Sequence, residues 1–228
     1  RYAQRLQNTI LPNEEDLKEL KDRLFVVFKP KDIVSGDFYK IYDLGKKKII
    51  AVVDCTGHGV PGAFVSMIAS TSLRNAIEEM ELTQPDEILA KANELICEEF
   101  ERDSTNDIQD GMDLSLCLVD TESEKVLFAG ANQRLYQVSG DEVNEFRGDR
   151  GSLGKEDPNK RFELHEIPCK KGDYIFMTSD GFPDQFGGPK DKKFGRKRLR
   201  ETFVSASKMP LAEGEKFVSI TIVNWIGT

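Results

Sequence analysis

The chain has 228 residues, a formal net charge of −8 and a hydrophobic content of 39%. This length allows one sizeable core, and the acidic charge argues against nucleic acid or an anionic membrane as the main partner, because both need clustered lysine and arginine. No apolar run approaches the roughly 20 residues of a membrane-spanning helix. The four cysteines are widely spread and contain no C-x-x-C pair, which favours isolated thiols in a reducing cytoplasm over a disulfide framework or a zinc site.

The first 22 residues predict connecting helices. Apolar residues recur at helical spacing over residues 2–11, and Pro12 ends the pattern. The chain opens like the middle of a longer protein. We therefore interpret residues 1–22 as the tail of an upstream regulatory region and residues 23–228 as one domain. We expect a cytoplasmic domain, which could belong to a membrane-bound sensor.

The elements that follow do not alternate as strands and helices of a parallel sheet do. Two central helices interrupt a series of short strands separated by turn residues, which favours an α+β domain with mostly antiparallel strands and helices packed outside. The predicted strands are 24–28, 37–42, 48–53, 113–119, 125–129, 134–138, 143–146, 163–167, 174–178 and 219–225. The predicted helices are 63–80, 83–100 and 194–205, and residues 148–159 are predicted to be a loop.

Three aspartates stand beside apolar strands and within three residues of a glycine. Asp54 and Asp180 follow a strand and precede a turn, whereas Asp37 follows Gly36 and opens a strand. Flexible backbone at a strand end lets a ligand or an ion approach closely. Oxygen ligands of this kind favour Mg²⁺ or Mn²⁺ over zinc, and two such cations can clamp a phosphoryl group for in-line displacement. One aspartate of this kind would be explained by an ordinary turn, but three beside apolar strands favour a metal site.

These motifs resemble those of the metal-dependent protein phosphatases of type 2C. The segment Asp54–Phe64, which reads DCTGHGVPGAF, resembles that family's signature, and most closely its bacterial branch of SpoIIE- and RsbU-type regulators. The branch's other motifs follow in the expected order. They are matched by Gln7–Pro12, Ser35–Tyr39, Phe128–Asn132, Gly172–Tyr174 and Thr178–Gly181.

The resemblance implies a fold, a metal pair and a mechanism. The fold would be an αββα sandwich of two antiparallel sheets flanked by helices. Two divalent cations, Mn²⁺ or Mg²⁺, would be held by Asp54 as the bridging ligand, by the Cys55 carbonyl, by Asp37 and by Asp180. A water activated by the metals, with no covalent phosphoenzyme, would attack the phosphorus. Asp54 is therefore also a catalytic candidate.

Several further residues have two readings each. His58 could protonate the leaving serine oxygen, or it could hold the glycine turn. Asp110 and Asp113 could contribute to a third, weaker metal site, although a loop or a strand start explains them as well. Lys29 and Lys31 could meet the phosphate, although lysines are common on surfaces.

The family usually carries a further metal-binding aspartate just before its last strand. With residues 219–225 as that strand, the preceding residues 213–218 contain no aspartate. Either a stretch near residues 212–218 is omitted from the sequence, or the site is altered, with Glu215 as a poor substitute.

The leading hypothesis is a phosphatase that removes phosphate from serine or threonine of a small regulatory protein. The resemblance suggests an anti-sigma-factor antagonist of the STAS type as substrate, and an upstream sensor region in the same chain as regulator. A homodimer through the N-terminal helix is compatible with this hypothesis. The alternative is a catalytically impaired binding module with the same fold. A nucleotide-handling enzyme is disfavoured because no Walker-type G-x-x-x-x-G-K-[ST] occurs.

Overall fold

The structure is a computed structural model that describes residues 2–13, 17–18, 20–57, 59–101, 110–120, 122–155 and 157–227. The chain divides into two compact units. The first contains residues 1–12, 30–134 and 146–170, and the second contains residues 13–29, 135–145 and 171–228. None of the helices within the described ranges is both long enough and apolar enough to cross a membrane.

The strands and helices mostly coincide with the predicted ones. The helices are α1 (Tyr2–Gln7), α2 (Gly59–Arg74), α3 (Pro85–Glu101), α4 (Gly195–Ser207) and α5 (Leu211–Ile226), and a π-helical turn, Asn75–Glu79, extends α2. The strands are β1 (Phe38–Leu44), β2 (Lys47–Cys55), β3 (Met112–Asp120), β4 (Lys125–Ala131), β5 (Arg134–Ser139), β6 (Glu142–Arg147), β7 (His165–Pro168), β8 (Tyr174–Met177), β9 (Phe186–Gly187) and β10 (Lys192–Lys193).

The first unit is built on a five-stranded antiparallel sheet in the order β1-β2-β3-β4-β7. From Ile49 to Cys55 every second residue of β2 is buried, and these residues share a core with α2 and α3. Alternation of this kind directs one face of a strand into a core. The shared core contains Ile49, Ala51 and Val53 from β2, Ala69 and Leu73 from α2, and Ile88, Ala92 and Ile96 from α3. The helices therefore hold one face of the sheet and fix where its strands end.

The second unit is smaller. It contains the three-stranded sheet β6-β5-β8 and the two-residue antiparallel pair β9–β10. Helices α4 and α5 pack with the sheet in one core, which contains Tyr136, Phe176, Leu199, Phe203, Val218 and Ile222. The rings of Phe176 and Phe203 stack with their centroids 4.3 Å apart. Each unit is thus an antiparallel sheet with helices packed against it, which confirms the predicted α+β class.

Two of the predicted strands are wrong. Residues 24–28 form no strand, although their side chains are half-buried, and Phe25 and Val27 pack against the core of the second unit. Residues 219–225 lie inside α5. The β-branched run there suits a strand, but Val218 and Ile222 are four residues apart and both buried, whereas Ile220 is 57% exposed. That spacing buries one face of a helix, and packing against α4 overrides the local preference.

The helical assignment changes the argument about the last metal ligand. Residues 213–218 do not precede a strand; they form the first half of α5, in which Glu215 is exposed. The argument for a missing aspartate took residues 219–225 as the last strand, so it no longer applies at this position. The missing aspartate was sought in the wrong place, and the segment gives no support to an altered site.

Candidate metal centre

Two carboxylates face each other across the middle strands of the larger sheet. Asp54 is the penultimate residue of β2 and is paired in register with Asp113, the second residue of β3. Side chains of directly opposed residues in an antiparallel pair lie on the same face, with Cβ atoms about 4.5–5.5 Å apart. Both aspartates are partly exposed. The register therefore places two negative charges side by side where β2 ends and β3 begins. This end of the strands is called the metal edge below.

Asp37 joins the same edge from β1. It directly precedes Phe38, which pairs with Val53, the residue before Asp54. The backbone N–H of Asp37 donates to the Oγ of Ser35 over 3.0 Å. A Cβ atom added to Gly36 would lie 2.7 Å from the carbonyl oxygen of Cys55. Only glycine permits this approach. The backbone before Asp37 therefore lies against the Cys55 carbonyl, which the family resemblance implies is a metal ligand.

A set of hydrogen bonds closes the end of the β2–β3 pair. The Thr56 N–H and the Thr56 hydroxyl both donate to the Gly111 carbonyl, each over 2.8 Å, and the Gly111 N–H donates back to the Thr56 Oγ1 over 3.1 Å. These bonds hold the start of β3 against the end of β2. Asp110, the residue before Gly111, is thereby carried to the same edge as Asp54.

The pKa of the Cys55 thiol reflects the negative charge near the end of β2. Burial raises its pKa well above the ordinary value, and the carboxylates of Asp54, Asp37, Asp110 and Asp113 raise it further. The Cys55 side chain itself is buried in the core of the first unit. The donors that remain available at this edge are oxygen atoms, which suit Mg²⁺ and Mn²⁺ better than zinc.

Two consecutive amides, which the sequence argument did not single out as functional, support the opposed carboxylates. Asn132 donates through Nδ2 to the Oδ1 of Asp113 over 2.9 Å, and Ser152 donates its hydroxyl to the same oxygen over 2.7 Å. Gln133, which is only 8% exposed, points Nε2 at the Oδ2 of Asp54 from 3.4 Å. The residue pair Asn132–Gln133 thus contacts both members of the carboxylate pair, and such contacts orient ligands in metal sites.

Asn132 has an unusual backbone conformation and is held by hydrogen bonds to the loop after β6. Its φ angle is 56°, in the left-handed region that asparagine tolerates better than most residues. Its Oδ1 accepts from the N–H of Gly151 over 2.8 Å, and its own N–H donates to the carbonyl of Asp149 over 2.7 Å. The predicted loop is therefore fastened to the end of β4. The sequence signal that could have marked this position is an asparagine directly after a strand, because asparagine adopts the left-handed conformation more readily than most residues.

The remaining predicted site residues are Asp180, Lys29, Lys31 and His58. Asp180 belongs to the second unit, is exposed, and begins a turn in which its carbonyl accepts from the Asp184 N–H over 2.9 Å. Lys31 lies in the first unit and Lys29 in the second, and both are exposed. His58 lies outside the described residues. Its assignment and those of Asp180, Lys29 and Lys31 stay predictions.

The chemical types of donor atom at this edge suit a hard divalent cation. Carboxylates together with a close backbone carbonyl are typical of magnesium and manganese sites, in which waters occupy several positions. Within the part of the chain that the structure describes, no three histidine, cysteine or acidic side chains are already grouped as a metal cluster. The edge therefore supplies part of a ligand set.

Comparison with known proteins gives the class to which this fold and edge belong. The structure matches the PP2C domain of SiaA from Pseudomonas aeruginosa with a TM-score of 0.90 and 32% identity, over 99% of this chain and 88% of that one. It also matches a structure of the PP2C phosphatase domain of SpoIIE from Bacillus subtilis with a fragment of its regulatory domain, with a TM-score of 0.67 and 20% identity over 85% of this chain and 55% of that one. RsbX, crystallised with magnesium, matches with a TM-score of 0.61 and 16% identity over 89% and 86%.

The fold is therefore that of a PP2C-type phosphoprotein phosphatase. The family model described as Stage II sporulation protein E (SpoIIE) matches residues 45–218, and the chain belongs to that family. A search of proteins with curated descriptions gives no significant match.

Proposed function

We propose that this domain hydrolyses phosphoserine or phosphothreonine on a small regulatory protein and depends on two divalent cations, Mn²⁺ or Mg²⁺. The observation that carries the proposal is the convergence of Asp37, Asp54, Asp110 and Asp113 around the end of β2 in a phosphatase fold. Acidic groups gathered at one edge repel each other unless cations neutralise them. A phosphorylated substrate, itself an anion, needs the same neutralisation before it can approach.

Each residue has a distinct task in this proposal. Asp54 and Asp37, with the Cys55 carbonyl, hold the cations, and Asp180 completes the set as the family resemblance implies. Bound cations would supply positive charge to the phosphoryl oxygens and acidify a water molecule. Gln133 orients the Asp54 carboxylate, and Asn132 with Ser152 orients Asp113. His58 donates a proton to the leaving serine or threonine oxygen.

The proposed substrate class is supported by the family resemblance. The SpoIIE phosphatase structure is described as that of a cell fate determinant with a regulatory domain, which supports a role in signalling. A phosphorylated STAS-type protein, the antagonist of an anti-sigma factor, is the substrate that the motif resemblance favours. Residues 1–22 would connect the domain to a sensor region that controls it.

The test is phosphate release from a phosphoserine-bearing STAS-domain protein, with Mn²⁺ or with chelator. A phosphotyrosine peptide serves as the comparison substrate. We expect release that requires metal and favours the phosphoserine protein. Absence of release from every substrate at saturating Mn²⁺, by folded protein, would refute the proposed activity and favour a binding module. Equal release from phosphotyrosine would refute only the substrate class.

A further inference from the structure

A buried glutamine joins helix α1 to the loop before Asp37. Gln7 is the last residue of α1 and is 7% exposed. Its Oε1 accepts from the backbone N–H of Ser35 over 2.9 Å, and its Nε2 donates to the carbonyl of the same residue. The Nε2 also lies 3.4 Å from the Oγ of Ser66 in α2. One amide therefore satisfies both polar groups of a single residue that is 28 positions away in the chain.

Ser35 in turn contacts the backbone of Asp37 at the metal edge. Its Oγ accepts from the Asp37 N–H, and the intervening Gly36 is buried against the carbonyl oxygens of Cys55 and Gly57. A glycine-containing loop has many conformations open to it, so its geometry depends on the few groups that hold it. Gln7 is the holding group that comes from α1.

We propose that Gln7 is a positioning residue that couples the place of helix α1 to the orientation of Asp37. While α1 is seated, the Gln7 amide fixes Ser35 and Asp37 faces the metal edge. A displacement of α1 would withdraw the amide, leave the Ser35 peptide groups without their partner, and release Asp37. The part of this inference that concerns metal rests on the proposed function, whereas the coupling of Gln7 to the loop does not.

The first experiment measures amide hydrogen exchange of Ser35 and Asp37 in metal-free protein. The variant Gln7→Met keeps the length of the side chain and removes its hydrogen bonds to Ser35 and Ser66. We expect exchange at both amides to become about tenfold faster, which is the effect of losing one hydrogen bond near the upper end of the usual range. The matched control is Gln4→Met, since Gln4 lies in the same helix but is exposed. Unchanged exchange in the Gln7 variant would overturn the proposal.

The second experiment measures Mn²⁺ affinity by calorimetry on the same proteins. Loss of a group that orients a ligand typically weakens metal binding about 10–100-fold, and we expect a loss in that range for Gln7→Met and none for Gln4→Met. Wild-type affinity in the Gln7 variant would contradict the coupling to Asp37. If the wild-type protein itself binds no Mn²⁺, the proposed function fails, while the exchange result still decides whether Gln7 holds the loop.

A third variant keeps the inference testable if Gln7→Met does not fold. Gln7→Glu retains the acceptor for the Ser35 N–H and loses the donor to the Ser35 carbonyl and to the Ser66 hydroxyl. We expect the Ser35 amide to stay protected while Mn²⁺ affinity falls. Retention of the wild-type affinity would show that the donor side of the amide does not position Asp37, and would overturn the proposal.

Discussion

Asp54 and Asp113 are directly opposed on adjacent antiparallel strands, and each is approached by the amide of one of two consecutive residues. Opposed like charges destabilise a strand pair, so this arrangement costs stability unless something compensates for it. The donors Gln133 and Asn132 compensate in part. The edge thus orients two carboxylates, as the proposed cation site requires.

Asn132 provides the first prediction, because its side chain and its backbone can be tested separately. Asn132→Gly removes the hydrogen bonds to Asp113 and Gly151 but tolerates the φ of 56°. Asn132→Ala removes the same bonds and adds left-handed strain of about 1–2 kcal/mol. We expect both variants to be less stable than the wild type in urea unfolding, with the alanine variant the lower by roughly 1 kcal/mol. Equal stability of the two variants would show that the backbone conformation carries no strain.

The sequence was sufficient for features that depend on neighbouring residues. The apolar run in residues 49–53 and the glycine-rich turn after Asp54 are local patterns, and the structure places β2 there. The amide contacts were not predictable in this way. Gln133 and Asp54 are 79 positions apart, and Gln7 and Ser35 are 28 apart, so only the folded register brings each pair together.

Helix α5 shows a different limit. Its residues 218–223 alternate β-branched and polar side chains, which predicts a strand as readily as a helix. The choice is made by packing with α4 in the second core, where Gly214 lies close enough that an added Cβ would be 3.0 Å from the Ala206 carbonyl oxygen. No local pattern reports that contact. The error then carried over to the position sought for the last aspartate.

The helical form of this segment can be checked by paired substitutions. In a helix, Ile222 faces the core and Ile220 faces solvent, whereas in a strand the two would share one face. We expect Ile222→Ala to reduce the free energy of unfolding by about 2–4 kcal/mol and Ile220→Ala by less than about 0.5 kcal/mol. Similar losses from both variants, measured by urea denaturation, would favour the strand.

Gly36 tests the close approach at the metal edge. The variant Gly36→Ala would place its Cβ 2.6 Å from the Gly57 carbonyl oxygen and 2.7 Å from that of Cys55. The backbone must move, so we expect a stability loss of about 1–3 kcal/mol together with weaker Mn²⁺ binding. The control is Gly140→Ala, because a Cβ there meets nothing within 4 Å although φ is 62°. That variant should lose stability only through left-handed strain of about 1–2 kcal/mol and keep its metal affinity. A Gly36 variant with wild-type affinity would refute the role of this contact.

The four cysteines should differ in reactivity. Cys55, Cys97 and Cys117 are buried, whereas Cys169 is partly exposed. Burial raises the pKa of Cys117 from 9.0 to about 12, so its thiolate fraction at pH 8 is about a thousandfold smaller than that of an ordinary thiol. Labelling with iodoacetamide at pH 8, mapped by mass spectrometry, should modify Cys169 first and all four only after unfolding. Labelling of Cys117 as fast as Cys169 in folded protein would contradict the assigned burial.

The most direct test combines Mn²⁺ calorimetry with phosphate release for the wild type, Asp54→Asn and Asp43→Asn. Asp43 is a suitable control because it is exposed near the opposite end of β1, where it pairs with Lys48. We predict that the Asp54 variant stays folded but loses both metal binding and activity by more than about a hundredfold, beyond the usual loss for a supporting residue. The Asp43 variant should match the wild type. Undiminished Mn²⁺ binding and phosphate release by Asp54→Asn would contradict the assignment of this edge as the metal centre.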